Sequence, residues 1–171
     1  MASRGFSHES SKGTLPNDEF NEWYTPKYIF DALGIEFDMD PCSPGEGQTF
    51  VPAKKHLTIV DDGLATPWEG TVFVNPPYGK YTPVWMKKLA EHGDGIGLVF
   101  ARTDVKWFHE YGVKADAICF IQSRVKFYQG GIADDRQGGT PGAGSMLLGY
   151  GQKAKSAMLA SGLGATFSYL G

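Results

Sequence analysis

Short apolar runs, each too short for a typical helix, recur along the chain and predict the strands of a buried sheet. The clearest run, residues 71–74, is rich in β-branched and aromatic residues. It ends at Asn75, because Pro76 and Pro77 lack the backbone N–H that a strand ladder requires. The other runs that predict strands are residues 35–40, 56–60, 95–101, 117–121, 124–128 and 145–150.

Longer segments between these runs carry apolar residues at helical spacing and have the end signals of helices. A threonine or aspartate that can cap the first turn precedes each segment, and proline at the first helical position supports two of the assignments. Glycine provides the stop for the same two helices. The predicted helices begin with Thr25-Pro26, Thr82-Pro83 and Asp104, and they end at Gly34, Gly93 and residue 109 or 110.

Strands that alternate with helices predict an α/β fold with one mixed sheet. Residues 124–128 alternate basic and apolar positions, and we expect them to pair antiparallel with residues 145–150 as a C-terminal hairpin. A polar, glycine-rich loop at 129–144 separates the two, and residues 151–171 show weak organisation. Residues 1–18 have no periodicity and are predicted to be a flexible tail, which leaves 19–171 as a single domain.

Composition excludes several classes of protein. No apolar run approaches the length of a bilayer span, and the polar N-terminal segment is not a signal peptide. Two cysteines without a CxxC motif indicate reduced thiols and a cytoplasmic protein. The four histidines have no ligand spacing with either cysteine, so no metal is expected.

Charge is distributed unevenly along the chain. Residues 1–79 hold 5 Lys/Arg against 12 Asp/Glu, a balance of −7, and residues 80–171 hold 11 against 7, a balance of +4. The second half could therefore present a basic face to phosphates. Uneven surface charge without a binding role explains the same numbers equally well.

The stretch from Asn75 to Gly79 carries the most specific chemistry. The Asn75 side-chain oxygen and the Pro76 carbonyl can both accept hydrogen bonds from an exocyclic amine of a nucleobase, and Tyr78 offers a face on which an extruded base can stack. In open α/β sheets, ligands bind beyond the carboxyl ends of strands such as this one. The alternative is a proline-stiffened turn after a core strand.

Acidic residues toward the end of the first predicted strand suggest a small-cofactor site. Asp38 and Asp40 would face the same side of the strand, and Asp40 lies at its carboxyl end before a glycine-containing loop. A carboxylate there could hold an ammonium or hydroxyl group, although a strand that simply ends in a turn accounts for the pattern too. Asp61 and Asp62 form a second acidic turn.

These motifs together give the chain a resemblance to a known family. It resembles the phage-type DNA adenine-N6 methyltransferases over roughly residues 20–150. The motifs that carry the resemblance are WYTP at 23–26, FDMDPC at 37–42, DDGL at 61–64, WxGxxFVNPPYG at 68–79, ARTDVKWF at 101–108, SRVKF at 123–127 and GTPGAGSMLLGYG at 139–151.

The resemblance implies a Rossmann-like methyltransferase fold, S-adenosylmethionine as cofactor, S-adenosylhomocysteine as product and double-stranded DNA as partner. The resemblance also implies that the enzyme is encoded by a phage or prophage, acts in the cytoplasm of a bacterial host cell, and takes part in DNA methylation or restriction-modification. The implied catalytic residues are Asn75, Pro76, Pro77 and Tyr78; the cofactor residues are Tyr24, Thr25, Pro26, Asp40, Pro41, Cys42, Asp61 and Asp62; and the DNA-binding residues are Lys80, Arg102, Arg124 and Lys126.

One departure from the wider methyltransferase pattern concerns the first cofactor loop. The FxGxG motif is replaced by DPCSPGEG at 40–47, so the resemblance does not indicate which residues contact the methionine part of S-adenosylmethionine. The chain has little room for a separate target-recognition domain, and we expect sequence recognition from the loop at 129–144 or from residues 80–84. Methylation of cytosine N4, RNA adenine or a protein glutamine, and a catalytically silent DNA-binding module, remain alternatives. The oligomeric state is not indicated.

Overall fold

The computed structural model describes residues 23–129 and 141–169, and within these residues the chain forms a sheet with helices on both faces. The helices are α1 (Lys27–Leu33), α2 (Thr82–His92), α3 (Lys106–Glu110) and α4 (Gln152–Ala160). The strands are β1 (Trp23–Tyr24), β2 (Phe37–Asp40), β3 (Ala53–His56), β4 (Val72–Val74), β5 (Gly95–Phe100), β6 (Ala117–Ile121), β7 (Tyr128–Gln129), β8 (Ser145–Tyr150) and β9 (Gly164–Ser168).

The main sheet has seven strands in the order β3-β2-β4-β5-β8-β6-β9, within the described residues. β3, β2, β4 and β5 are mutually parallel, whereas β8 is antiparallel to both β5 and β6. β6 therefore runs in the same direction as β5, so β2, β3, β4, β5 and β6 all end at one edge of the sheet. β1 and β7 form a separate antiparallel pair.

The strand order reverses direction between β2 and β4. The chain passes from β2 outward to β3 and then returns to β4 on the other side of β2. In sheets of this kind the crevice outside the carboxyl ends at such a reversal is where ligands bind. In this chain that crevice lies between the end of β2, at Asp40, and the end of β4, before Asn75.

Two apolar clusters fill the space between the sheet and the helices. Residues along β4 alternate between them: Phe73 packs with α1 and α4, and its neighbours Val72 and Val74 pack with α2 and α3. All three side chains are fully buried, as expected for a strand covered on both faces. The layers are therefore helix, sheet, helix, which confirms the predicted α/β class with a mixed sheet.

Several predicted element ends are wrong by a few residues, for local reasons. Thr25 does not cap α1; Pro26 occupies the N-cap position without a side-chain hydrogen bond. Tyr81, rather than the predicted Thr82, occupies the N-cap position of α2. Asp104 does not cap α3, because that helix starts two residues later, at Lys106. The prediction of a strand at 56–60 is also wrong, since β3 is Ala53–His56 and Ile59–Asp61 is a single 3-10 turn.

The predicted hairpin between residues 124–128 and 145–150 is wrong. β8 instead lies between β5 and β6, with Ser145 opposite Phe100, and Tyr128 pairs with Tyr24. Burial does alternate along the segment, because Val125 is buried and its neighbour Arg124 is exposed, but residues 124–127 belong to no strand. The antiparallel part of the main sheet comes from β8 and β9 pairing with β5 and β6.

Residues 151–171 are better organised than the sequence suggested. They contain α4, whose buried stripe is Ala154, Ala157 and Met158, and the edge strand β9. Small apolar residues give a weak periodic signal, which is why the helix was not predicted. The predicted tail at 1–18 lies outside the described residues, as does most of the predicted loop at 129–144. In the described segments, no helix is both long and apolar enough to span a bilayer.

Candidate active site

Asn75 follows β4 directly, and both ends of its side-chain amide are held. Its Nδ2 donates a hydrogen bond to the carbonyl oxygen of Trp23 at 2.7 Å and a longer one to Thr25 Oγ1 at 3.3 Å. Its Oδ1 accepts a hydrogen bond from the Tyr78 hydroxyl at 3.1 Å. An amide oxygen has two lone pairs, so Oδ1 keeps capacity for one further donor.

The Tyr78 ring is fixed by two other aromatic side chains. It stacks on Phe100 with 3.9 Å between ring centroids and 15° between planes. Phe127 meets it edge-on, with centroids 6.3 Å apart. Burial raises the pKa of the Tyr78 hydroxyl above its ordinary value, so it stays protonated and acts as the donor to Asn75.

The two prolines continue the chain away from the sheet. Pro76 is buried, and the Pro77 carbonyl accepts a hydrogen bond from Thr82 Oγ1 at 3.0 Å, which ties the motif to the first residue of α2. None of the described residues donates a hydrogen bond to the Pro76 carbonyl. Gly79 has φ +95°, a conformation that side chains other than glycine's disfavour, and it turns the chain toward the helix.

The segment at residues 23–26 lies against this motif. Trp23 meets Phe127 edge-on at 6.1 Å, and β1 is held in place by its pairing with β7. Thr25 and Pro26 are buried, and Tyr24 is half-buried. The structure therefore brings the predicted cofactor residues Tyr24, Thr25 and Pro26 together with the predicted catalytic residue Asn75.

At the end of β2, the Asp40 side chain organises the loop that follows it. Only 2% of Asp40 is exposed. Its Oδ1 accepts a hydrogen bond from the Cys42 backbone N–H at 3.1 Å, and its Oδ2 lies 3.8 Å from Nδ1 of His56. The same His56 nitrogen lies 2.9 Å from Ser43 Oγ. Burial raises the pKa of Asp40, and the nearby carboxyl group raises the pKa of His56. The pair therefore retains protons more strongly than the free side chains do.

The remaining residues predicted near the cofactor differ in accessibility. Pro41 is buried and Cys42 is half-buried. Asp61 is exposed, and its Oδ2 accepts hydrogen bonds from Thr58 N at 2.7 Å and Thr58 Oγ1 at 3.0 Å; these bonds lower the pKa of Asp61. Asp62 Oδ1 accepts a hydrogen bond from the Ala65 backbone N–H at 3.2 Å.

A close backbone contact joins the two predicted cofactor segments. A Cβ placed on Gly63 would lie 1.9 Å from the Pro41 carbonyl oxygen, so only glycine permits the observed approach. The turn that contains Asp61 and Asp62 is therefore packed against the loop that follows β2, and both lie beside the crevice between β2 and β4.

The four predicted DNA-binding residues are exposed and follow strands that end at the same edge of the sheet. Lys80 follows β4, Arg102 follows β5, and Arg124 and Lys126 follow β6. The Arg124 guanidinium donates a hydrogen bond to the Pro141 carbonyl at 3.1 Å. The Lys80 ammonium lies 4.9 Å from the centre of the Tyr81 ring. Positive charge is thus collected along the edge that carries Asn75.

Sequence reasoning missed the residues that hold the motif in place. Trp23 contributes a backbone carbonyl, which no side-chain pattern could reveal. Phe100 was placed in a buried strand, and its position near that strand's carboxyl end was the available signal for a role at the site. The sequence marks Phe127 through its alternation with basic residues and as the last residue of the SRVKF motif, neither of which indicates a contact with Tyr78.

The fold and the site define a mixed α/β protein in which the Asn75 amide lies at the carboxyl end of β4, beside the point where the parallel strands reverse order. A family model described as DNA N-6-adenine-methyltransferase (Dam) matches residues 12–161. The chain belongs to this family, which confirms the resemblance, and membership implies DNA adenine-N6 methyltransferase activity in general. Methyltransferases of this kind typically use S-adenosylmethionine. No curated protein and no solved structure matched the chain.

Proposed function

We propose that residues 19–171 form one Rossmann-like methyltransferase domain that transfers a methyl group from S-adenosylmethionine to N6 of an adenine turned out of double-stranded DNA. The observation that carries the proposal is the Asn75 amide, fixed at both ends beside a stacked tyrosine at the carboxyl end of β4. The strand order, with its reversal between β2 and β4, supports the fold assignment.

Two acceptors are available for the adenine amine. Asn75 Oδ1 keeps one lone pair after its bond from Tyr78, and no described residue donates to the Pro76 carbonyl. The lone pair of an exocyclic amine is delocalised into the ring, which makes the nitrogen a poor nucleophile. Hydrogen bonds from its two N–H groups to Asn75 and Pro76 favour a tetrahedral nitrogen and orient its lone pair for attack.

Tyr78 supplies a stacking surface for the extruded base. Phe100 covers one face of the Tyr78 ring at 3.9 Å, so the base takes the other face. The edge contact with Phe127 fixes the orientation of the ring. A rigid ring lowers the entropic cost of ordering the base and thereby favours a single reactive geometry.

The residues beside the β2–β4 crevice fit S-adenosylmethionine. Asp61 presents an exposed carboxylate after β3, and in the described part of the chain only its Oδ2 has partners, which leaves Oδ1 for ribose hydroxyls. Asp40 positions the Pro41–Cys42 loop rather than contacting the ligand, because its carboxyl group is buried in bonds to that loop. In this proposal Asp62 and residues 24–26 contribute further contacts to the cofactor. When bound, the cofactor supplies an electrophilic methyl group, so positioning provides much of the rate enhancement.

Contacts to DNA phosphates come from the basic residues at this edge. Lys80, Arg102, Arg124 and Lys126 are all exposed there. Phosphate contacts orient a duplex and make its binding dependent on salt, but they do not select a sequence. An enzyme of this kind would act in the cytoplasm of a bacterial host, and that location stays a prediction.

Labelled S-adenosylmethionine, offered with duplex DNA, RNA and protein acceptors, tests the proposal. We expect label in DNA, recovered as N6-methyladenine after digestion, and no transfer by Asn75→Ala although that variant still binds S-adenosylhomocysteine. Label in cytosine N4, RNA or glutamine would replace the substrate assignment. Absence of cofactor binding by the wild-type protein would instead favour a silent DNA-binding module.

A further inference from the structure

A lysine from α2 holds the turn that follows β3. The Lys88 ammonium donates hydrogen bonds to three backbone carbonyl oxygens, those of Gly63 at 3.1 Å, Leu64 at 2.8 Å and Thr66 at 2.6 Å. It also lies 4.7 Å from the centre of the Trp68 ring. The three N–H groups of the ammonium therefore each have a carbonyl acceptor in one short segment, residues 63–66.

Tryptophans strengthen the same attachment. Trp68 Nε1 donates a hydrogen bond to the Gly63 carbonyl at 2.7 Å, and the Trp68 ring stacks on Trp85 of α2 with centroids 6.0 Å apart. The Gly63 carbonyl therefore accepts from both Lys88 and Trp68. Because Gly63 packs against the Pro41 carbonyl, the attachment also fixes the distance between the turn and the end of β2.

The other end of α2 is bound to the catalytic motif. Thr82, its first residue, donates to the Pro77 carbonyl, and Lys88 lies six residues later. At 1.5 Å per residue the two attachments are separated by about 9 Å along the helix axis. One short helix thus connects the motif proposed to bind the base with the acidic turn proposed to bind the cofactor.

We propose that Lys88 is a positioning residue for the cofactor: it holds the turn bearing Asp61 and Asp62 at a fixed distance from the Asn75 motif. This rests on the proposed function, in which that turn contacts S-adenosylmethionine. Burial lowers the pKa of Lys88, and the charge of Asp62 opposes the shift. An apolar side chain would avoid this desolvation but could not bind three carbonyls, which is consistent with an orienting role.

Lys88→Met, compared with Lys87→Met, tests the inference. Lys87 is the adjacent residue on α2, but it is exposed and pairs only with Glu91 among the described residues. For Lys88→Met we expect the Kd for S-adenosylhomocysteine, measured by calorimetry, and the KM for S-adenosylmethionine to rise about tenfold, as loss of charged hydrogen bonds implies. The kcat at saturating cofactor and the KM for DNA should change less than about twofold. Lys87→Met should match the wild type, and Lys88→Arg should recover part of the lost affinity.

Unchanged cofactor affinity in a folded Lys88→Met variant would overturn the inference. Equal losses in kcat, DNA binding and cofactor binding would do so too, because they indicate a purely structural role. If Lys88→Met does not fold, Trp68→Phe removes the N–H donated to Gly63 and part of the ring that faces Lys88 and Trp85. A folded Trp68→Phe variant should show a rise in Kd for S-adenosylhomocysteine without an equal loss of kcat; no rise would count against the inference. The wild-type protein tests the proposed function separately, through its own cofactor binding and methyl transfer.

Discussion

Replacing Asn75 with aspartate changes one NH2 group into an oxygen atom and leaves the shape of the side chain almost unaltered. In the folded protein that group lies 2.7 Å from the Trp23 carbonyl and 3.3 Å from Thr25 Oγ1. A carboxylate has no proton to donate, so two oxygens would face each other across the shorter distance. The amide orientation proposed to receive the adenine would be lost.

The structure sets the size of the effect. One hydrogen bond is worth about 0.5 to 1.5 kcal/mol net, and an acceptor left without a partner costs about 1 to 3 kcal/mol more. A total of about 1.5 to 4.5 kcal/mol corresponds to a rate that falls by about tenfold to two-thousandfold. Thr25 can rotate its hydroxyl to donate to the new oxygen, which favours the lower part of that range.

Single-turnover methyl transfer to DNA, measured between pH 6 and 8.5, provides the assay. Protonation of the introduced carboxyl restores a donor toward Trp23, so the rate of Asn75→Asp should rise as the pH falls. Asn75→Ala is the matched control, because it has no group to titrate and should stay inactive throughout. Wild-type activity of Asn75→Asp at pH 8, or an equal loss at every pH, would refute the reasoning.

Three further predictions concern stability and DNA binding. Gly63→Ala would put a Cβ 1.9 Å from the Pro41 carbonyl oxygen, and this steric clash should lower Tm by about 5 °C or more. Gly142→Ala is the control, because a Cβ at that position meets no atom within 4 Å. Because the pKa of His56 is raised in the folded protein, protonated His56 should increase the free energy of unfolding, and this contribution should be complete below about pH 6.5. It should disappear as the pH rises through the pKa of His56 in the folded protein, and the His56→Gln variant should lack this pH dependence. Lys126→Ala should reduce the slope of log K against log salt by about 0.9, equally for all DNA sequences.

Local pattern was sufficient to predict most strands and helices. The run at 71–74 and the stop at Asn75 depend on β-branched residues and prolines, whose effects act within a few positions, and β4 ends where they indicate. The place of β8 could not be predicted in this way. Its residues are buried at every position, which fits any central strand, and the choice of β5 and β6 as neighbours depends on packing across the whole sheet.

The same distinction applies to the site. Asn75 and Tyr78 were predicted from adjacent letters, and the structure brings their side chains into contact at 3.1 Å. Their supports come from distant parts of the chain: a carbonyl at Trp23 and a ring at Phe100. These contacts join residues 52 and 22 positions apart, so they follow from the topology of the sheet, and a single sequence carries little information about them. The cofactor and DNA roles predicted for individual residues stay predictions.

The position of β8 has a consequence for how the protein is made. β5 and β6 leave the ribosome well before residues 145–150, yet neither can complete its ladder until β8 enters between them. A nascent or truncated chain that ends before β8 also lacks β9, so it would leave one edge of β5 and both edges of β6 unpaired, and such edges invite association with other chains. Closing a sheet around a late central strand also requires contacts of large sequence separation, which slow folding. Synthesis of β8 and β9 therefore determines whether the edges of β5 and β6 stay exposed or become paired within the chain.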